Sequence, residues 1–159
     1  MSSDDDLVDV IEEQVPYDGP HSRESVIGAA QGVAHLVRYL NNATQPGTAR
    51  YTLEWASTID SVLGTMKGAL YGMDQLFEQL SAAAAAAAED PTVYDARAAQ
   101  REDRHPDGAR VARELAETLN GVRQHLAVWQ GFRVVGGMAA ELERAHSLSA
   151  RLGNERSDD

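Results

Sequence analysis

The chain has no cysteine, few aromatic residues and no long uncharged stretch. The absence of cysteine excludes disulfides, thiolate metal sites and cysteine nucleophiles. Nine aromatic residues among 159, beside abundant alanine, favour helices over sheets. The longest stretch without a charged residue, from Ser25 to Val37, has thirteen residues, too few to span a membrane. The opening residues, Met1 to Asp6, lack the basic and apolar regions of a signal peptide, so we expect a cytoplasmic protein.

Basic residues are in the minority, and the acidic excess is concentrated at one end. The formal net charge is −11, with 25 acidic and 14 basic residues. Residues 1–20 hold seven of the acids and no base, so the body from His21 to Leu152 is nearly neutral. A surface that binds nucleic acid should be basic, so this distribution argues against a nucleic-acid partner.

One segment, from Thr52 to Leu80, repeats its apolar residues every seven positions. Ile59, Met66 and Met73 continue the register that Thr52 begins, and two further registers run beside it. So wide an apolar stripe is typical of a helix packed in a bundle. We therefore predict an all-α fold, an elongated three- to four-helix bundle built on a long antiparallel helical hairpin.

The first two predicted helices flank a loop that contains Pro46. Helix A extends from about Ser22, its N-cap, to Asn42. Helix B begins near Thr48 and continues through the alanine run Ala82–Ala88. Alanine has the best helix propensity but little surface to bury, so we expect this run to lengthen the helix without adding to the core.

The third predicted helix, helix C, starts near Asp107 and ends at about Leu152. Its heptad register slips among Gly131, Gly136 and Gly137. We expect a kink or short break at these glycines and a fourth helix beyond them.

The domain prediction separates two acidic ends from the bundle. Residues 1–20 form an acidic, disordered tail, residues 21–152 the helical bundle, and residues 153–159 a disordered acidic C-terminus. Within the tail, Leu7, Val8 and Ile11 can form a turn or two of amphipathic helix. This segment is either a solvated tail or a short motif that docks on a groove, in this chain or in a partner.

Helix A is about half as long as helices B and C, so it cannot cover the far end of their hairpin. The apolar residues left there need a cover, which the connector, the N-terminal segment or a second subunit can supply. The predicted interface residues are Met73, Leu76, Phe77, Leu80, Leu115, Leu119 and Val122. A homodimer is the leading prediction.

Five glycines lie inside the predicted helices, where each costs about 1 kcal/mol relative to alanine. They are Gly28, Gly32, Gly64, Gly68 and Gly72. Their four-residue spacing indicates close backbone packing, of helix A on helix B or of a partner helix. The alternative is sequence drift without a structural role.

The sequence offers little support for catalysis, a metal or a cofactor. Glu143 and His146 have the Glu-x-x-His spacing of ferritin-like di-iron bundles, but the required second motif is missing. No Gly-rich phosphate loop, nucleophile elbow or zinc-binding histidine pair occurs. We therefore predict no catalytic residue, no metal site and no cofactor.

Trp129-Gln130-Gly131 is similar to the Trp-x-Gly turn motif of the small helical-hairpin substrates of type VII secretion. No tyrosine is followed by the Tyr-x-x-x-Asp/Glu secretion pattern, and the resemblance covers one tripeptide, so it does not assign a family.

The leading functional hypothesis is a non-enzymatic helical protein–protein interaction or accessory protein that acts as a homodimer. One alternative is a nucleic-acid-associated or mobile-element accessory factor that uses the Arg-bearing connector around residues 97–113. The other alternative is a helical-hairpin substrate of a secretion system, or its chaperone.

Overall fold

A computed structural model describes residues 3–98 and 104–152 of the chain, and the side chains of residues 7–98 and 105–152. The predicted C-terminal acidic segment and the middle of the Arg-bearing connector lie outside these ranges. Within them the protein consists of six helices and one two-stranded sheet. The elements are α1 (Ser3–Gln14), α2 (Arg23–Ala43), α3 (Pro46–Thr52), α4 (Ala56–Ala87), α5 (Arg104–Leu126), β1 (Val128–Gln130), β2 (Arg133–Gly136) and α6 (Gly137–Ser149).

The predicted, mostly helical fold is confirmed, and the small sheet is an addition that the sequence did not predict. The chain divides into two compact units, Met1–Glu54 and Trp55–Asp159. No helix in the described residues is long and apolar enough to cross a membrane.

The first unit contains α1, α2 and α3. The predicted cap of helix A is confirmed, because Ser22 and Ser25 form a reciprocal capping box at the start of α2. No residue of α2 is buried. Helix α1 has twelve residues, more than the turn or two predicted, and it carries the predicted motif of Leu7, Val8 and Ile11 on its exposed surface.

Helix B was predicted to begin near Thr48, and this start is wrong. Residues 46–52 form the separate short helix α3, which starts at Pro46 because proline suits the first helical position. The hydroxyl of Thr52 donates a hydrogen bond of 2.7 Å to the carbonyl of Ala43, which ties α3 back to the end of α2. Trp55 is extended and serves as the N-cap of α4.

The second unit is organised around α4, which has 32 residues. Helix α5 runs antiparallel along its C-terminal half, where the Ser81 hydroxyl donates to the carbonyl of Ala116 at 2.9 Å. Helix α6 runs antiparallel along its N-terminal half, where the Ser149 hydroxyl donates to Asp60 at 2.7 Å. Two successive helices therefore occupy the length that the sequence assigned to one broken helix C.

The core lies where α5 ends and α6 begins. Leu70, Leu126, Ala127 and Ala139 form a buried cluster, and Ala139 has no exposed surface. The partly buried hydrophobic residues packed against this cluster are Tyr71, Met73, Phe77, Val134 and Leu142.

The alanine run contributes to the α4–α5 contact, contrary to the sequence-based expectation. Ala84 and Ala88 are buried, and so are Ala112 and Ala116 on α5. The hydrogen bond from Ser81 to a backbone carbonyl of α5 shows how closely the two helices approach. Small side chains on both helices allow this approach, so the run packs a helix pair as well as lengthening one helix.

The predicted break in helix C is confirmed, and a β-hairpin fills it. Strands β1 and β2 pair antiparallel around a two-residue turn, in which Gly131 has a φ of 61°. A positive φ at the first central residue alone is typical of a type II′ turn. Gly137, with a φ of 77°, lies where the chain comes back against the end of α5. A Cβ at this position would lie 3.0 Å from the backbone nitrogen of Ala127.

Candidate functional site

Helix α4 carries only four charged residues, and all of them project to one side. Asp60, Lys67 and Asp74 are spaced by seven residues, and Glu78 follows one turn later. This spacing places the four side chains in one stripe along the helix. Each of them contacts α5 or α6, and Asp74 is the buried member of the stripe, whereas the side chain of Glu78 is 61% exposed.

The carboxylate of Asp74 is the centre of the first polar cluster. Asp74 is only 7% exposed, and its two oxygens accept hydrogen bonds of 3.2 Å from Arg123 Nε and from Trp129 Nε1. Arg123 also pairs with Glu78 at 3.4 Å. A buried carboxylate is stable when it is paired and hydrogen-bonded in this way. The cluster therefore fixes the indole ring of Trp129, and with it the position of β1.

A second polar cluster joins the other end of α4 to α6. The Ser149 hydroxyl donates to Asp60 at 2.7 Å, and His146 Nε2 lies 3.5 Å from the same oxygen of Asp60. Lys67 Nζ is 3.5 Å from the other ring nitrogen of His146. The serine hydroxyl is directed at a carboxylate and a backbone carbonyl, not at the imidazole, so the cluster lacks the geometry of an activated nucleophile.

The Glu143-x-x-His146 pair does not converge on a common point. Glu143 contacts the hydroxyl of Tyr71, whereas His146 contacts Lys67 and Asp60, which lie nearer the start of α4. Within the described residues no group of three or more potential ligands could hold a metal ion.

An uncharged face covers the remainder of α4, and its apolar part continues onto α5. Leu76 and Leu80 are 48% and 44% exposed, and Leu115 and Val122 on α5 are 51% and 36% exposed. Helical periodicity and the antiparallel packing place these four residues on the same side of the helix pair. We call this surface the leucine face.

The seven predicted interface residues divide between this face and the core. The four residues of the leucine face are exposed, and Leu119 is half-buried at its centre. Met73 and Phe77 pack against the buried cluster around Leu70. The apolar stripe predicted at the far end of the hairpin is therefore present and, within the described residues, uncovered.

Among the five predicted close-packing glycines, only Gly64 has a close neighbour in the structure. A Cβ built there would lie 3.0 Å from His146 Nε2, so its neighbour is α6. At Gly68 and Gly72, and at Gly28 and Gly32 in the first unit, a Cβ would meet no described atom within 4 Å.

Two of the basic residues in the connector, Arg110 and Arg113, are paired with acids. Arg110 lies 3.3 Å from Asp107 and 3.6 Å from Glu114, and Arg113 lies 4.0 Å from Glu89. These local pairs reduce the charge available for a phosphate.

A cavity of about 420 Å³ opens beside the β-hairpin. Its lining residues are Tyr71, Trp129, Phe132, Arg133, Val134 and Glu143. The rings of Tyr71 and Trp129 are 5.6 Å apart at an angle of 48°. The hydroxyl of Tyr71 lies 3.5 Å from Glu143 Oε2, and burial, followed by the charge of Glu143, raises the pKa of this tyrosine above its ordinary value.

Sequence reasoning missed this aromatic cavity, although one signal for it was present. Trp129 and Phe132 stand three residues apart at the point where the heptad register of helix C slips. The Trp-x-Gly tripeptide supplies the last two residues of β1 and the first residue of its turn, and it does not join two helices directly.

Comparison with known proteins assigns no family to this chain. It matches no protein-family model, no curated protein and no solved structure. Any function must therefore be inferred from its own surfaces.

Proposed function

We propose that this chain is a non-enzymatic protein-interaction module that forms a homodimer through the leucine face, with the second unit as an elongated helical bundle. The observation that carries the proposal is the distribution of charge on α4. All four charged residues point to α5 and α6, and the opposite surface of a 32-residue helix has none. A helix surface that stays in water is normally polar and charged.

The composition of the leucine face supports association with a second copy. Interfaces are depleted of charge at their centre, and Leu76, Leu80, Leu115 and Val122 supply such a centre. An uncharged patch can meet its own copy around a two-fold axis without like-charge repulsion and without the burial of an unpaired charge. The hydrogen bonds of Asp60 and Asp74 to α6, α5 and β1 support a structural role for the two polar clusters.

Sedimentation velocity over a range of micromolar concentrations tests the proposal. We expect a dimer that Leu80→Asp and Leu115→Asp dissociate, because each would place a charge in an apolar interface. Gln124→Asp is the matched control, since Gln124 is an exposed residue of α5 outside the leucine face. A monomer at every concentration, or equal dissociation by the control, would refute the proposed dimer.

A further inference from the structure

The aromatic cavity lies on a different side of α4 from the leucine face, and the proposed dimer does not use it. We propose that this cavity binds a cationic side chain of a partner protein, namely a lysine, an arginine or a methylated lysine. Two aromatic rings held at a fixed angle, with a carboxylate beside them, form a site for a cation that has an apolar body.

The floor of the cavity is preorganised by the buried cluster beneath it. Trp129 donates its indole hydrogen to Asp74, and Arg123 holds Asp74 in turn. Tyr71 packs on the same indole at 5.6 Å and reaches Glu143 with its hydroxyl. Because the rings are held before a ligand arrives, binding does not have to order them.

The carboxylate of Glu143 offers a partner for a cation in the cavity. Glu143 has one side-chain partner among the described residues, the Tyr71 hydroxyl at 3.5 Å, and that partner is neutral. Among the lining residues Glu143 carries the negative charge and Arg133 the positive charge, and the carboxylates of Asp74 and Glu78 behind them are both paired with Arg123.

Phe132 indicates that the site acts at a protein surface. It occupies the second position of the hairpin turn and is 103% exposed, so its ring contributes nothing to the core. Turn positions normally carry glycine, asparagine, aspartate or serine, which makes a phenylalanine here costly in water. As a lining residue of the cavity, Phe132 can supply a third aromatic surface to a bound side chain.

Arg133 is the one lining residue whose charge opposes a cation, and the test must therefore compare both signs of charge. If the cavity instead selects anions through Arg133, a glutamate probe will bind better than a lysine probe. If it binds apolar groups only, a neutral probe of the same shape will bind equally well.

The test titrates four small probes into Trp55→Phe protein, in which Trp129 is the only remaining tryptophan. The probes are the N-acetyl methylamides of lysine, trimethyl-lysine, norleucine and glutamate. Trp129 fluorescence and the chemical shift of its indole hydrogen report binding. We expect the two cationic probes to bind about fivefold or more tightly than the norleucine probe, which has the same stem without the charge.

Two variants and one control locate the binding. Glu143→Gln should weaken binding of the lysine probe severalfold. Phe132→Ala should also weaken this binding, without changing the melting temperature, since that ring is fully exposed. Glu141→Gln is the matched control, because it removes the same charge two residues away on α6, where Glu141 pairs with Arg144 at 2.8 Å. Leu80→Asp should leave probe binding unchanged, which separates this site from the proposed dimer.

Any of four results would overturn the proposal. They are equal affinity for the lysine and norleucine probes, tighter binding of the glutamate probe, the same effect from Glu141→Gln and Glu143→Gln, and no response of Trp129 to any probe in folded protein.

Discussion

At the residue scale, one carboxylate at the centre of the second unit holds two neighbours in place. Asp74 receives hydrogen bonds from Arg123 and Trp129, which belong to α5 and β1. A single side chain of α4 thus contacts both the last turns of α5 and the first strand of the hairpin.

Substitution of Asp74 should show this dependence directly. Asp74→Ala leaves a guanidinium and an indole N–H without their partner, so we expect the free energy of unfolding to fall by about 2–4 kcal/mol. Asp74→Asn keeps an acceptor for the guanidinium or the indole N–H, so it should lower the free energy of unfolding by less. Urea denaturation measures both variants, and equal stability of Asp74→Ala and the unchanged protein would show that the cluster does not anchor the unit.

Tyr71 should make the free energy of unfolding fall at alkaline pH. Its pKa lies above the ordinary value of 10.0 in the folded protein, first because of burial and then because of Glu143. The folded state therefore favours the neutral phenol, and this contribution is complete below pH 10.0 and is lost as the pH rises through the raised pKa. We expect the unchanged protein to lose more stability than Tyr71→Phe between pH 9 and pH 11, measured as urea midpoints in the same buffers. Equal losses of stability in the two proteins would contradict the raised pKa of Tyr71.

At the element scale, the alanine run shows what packing adds to propensity. The sequence predicted helix from seven consecutive alanines, but propensity alone does not indicate which of them face a neighbour. In the structure Ala84 and Ala88 are buried, whereas Ala85 is exposed.

This difference gives a matched pair of variants. Ala84→Leu would force a larger side chain between α4 and α5, and we expect it to destabilise the protein by about 1–3 kcal/mol. Ala85→Leu adds the same atoms on the exposed side and should change the free energy of unfolding little. Thermal or urea unfolding distinguishes them, and similar effects from both would mean that the run does not pack against α5.

The β-hairpin marks the limit of what periodicity could predict. Slippage of the heptad register and three glycines located the break in helix C correctly. The strands themselves have three and four residues, too short for an alternating pattern, and Val134 and Val135 fit a helical register equally well. Similarly, the separate helix α3 is tied to α2 by the hydrogen bond between Thr52 and Ala43, which no repeat in the sequence reveals.

At the scale of the whole molecule, the second unit presents two surfaces with different chemistry. The leucine face is uncharged and apolar, and the sequence predicted it because heptad seams are visible without a structure. The aromatic cavity combines Tyr71 with residues 58 or more positions later in the chain, such as Trp129 and Glu143. These residues meet only because α5, the hairpin and α6 fold back along α4. Sequence spacing therefore could not predict the cavity.

The absence of cysteine allows a direct test of the proposed homodimer, because a single introduced cysteine can be spin-labelled uniquely. Thr118→Cys places a label beside the leucine face on α5, and Gln124→Cys places one on the far side of the same helix. Pulsed dipolar spectroscopy then measures distances between copies. The proposed dimer predicts an intermolecular distance for both labels, shorter at residue 118 than at residue 124. No intermolecular coupling at either position, or a shorter distance at residue 124, would contradict it.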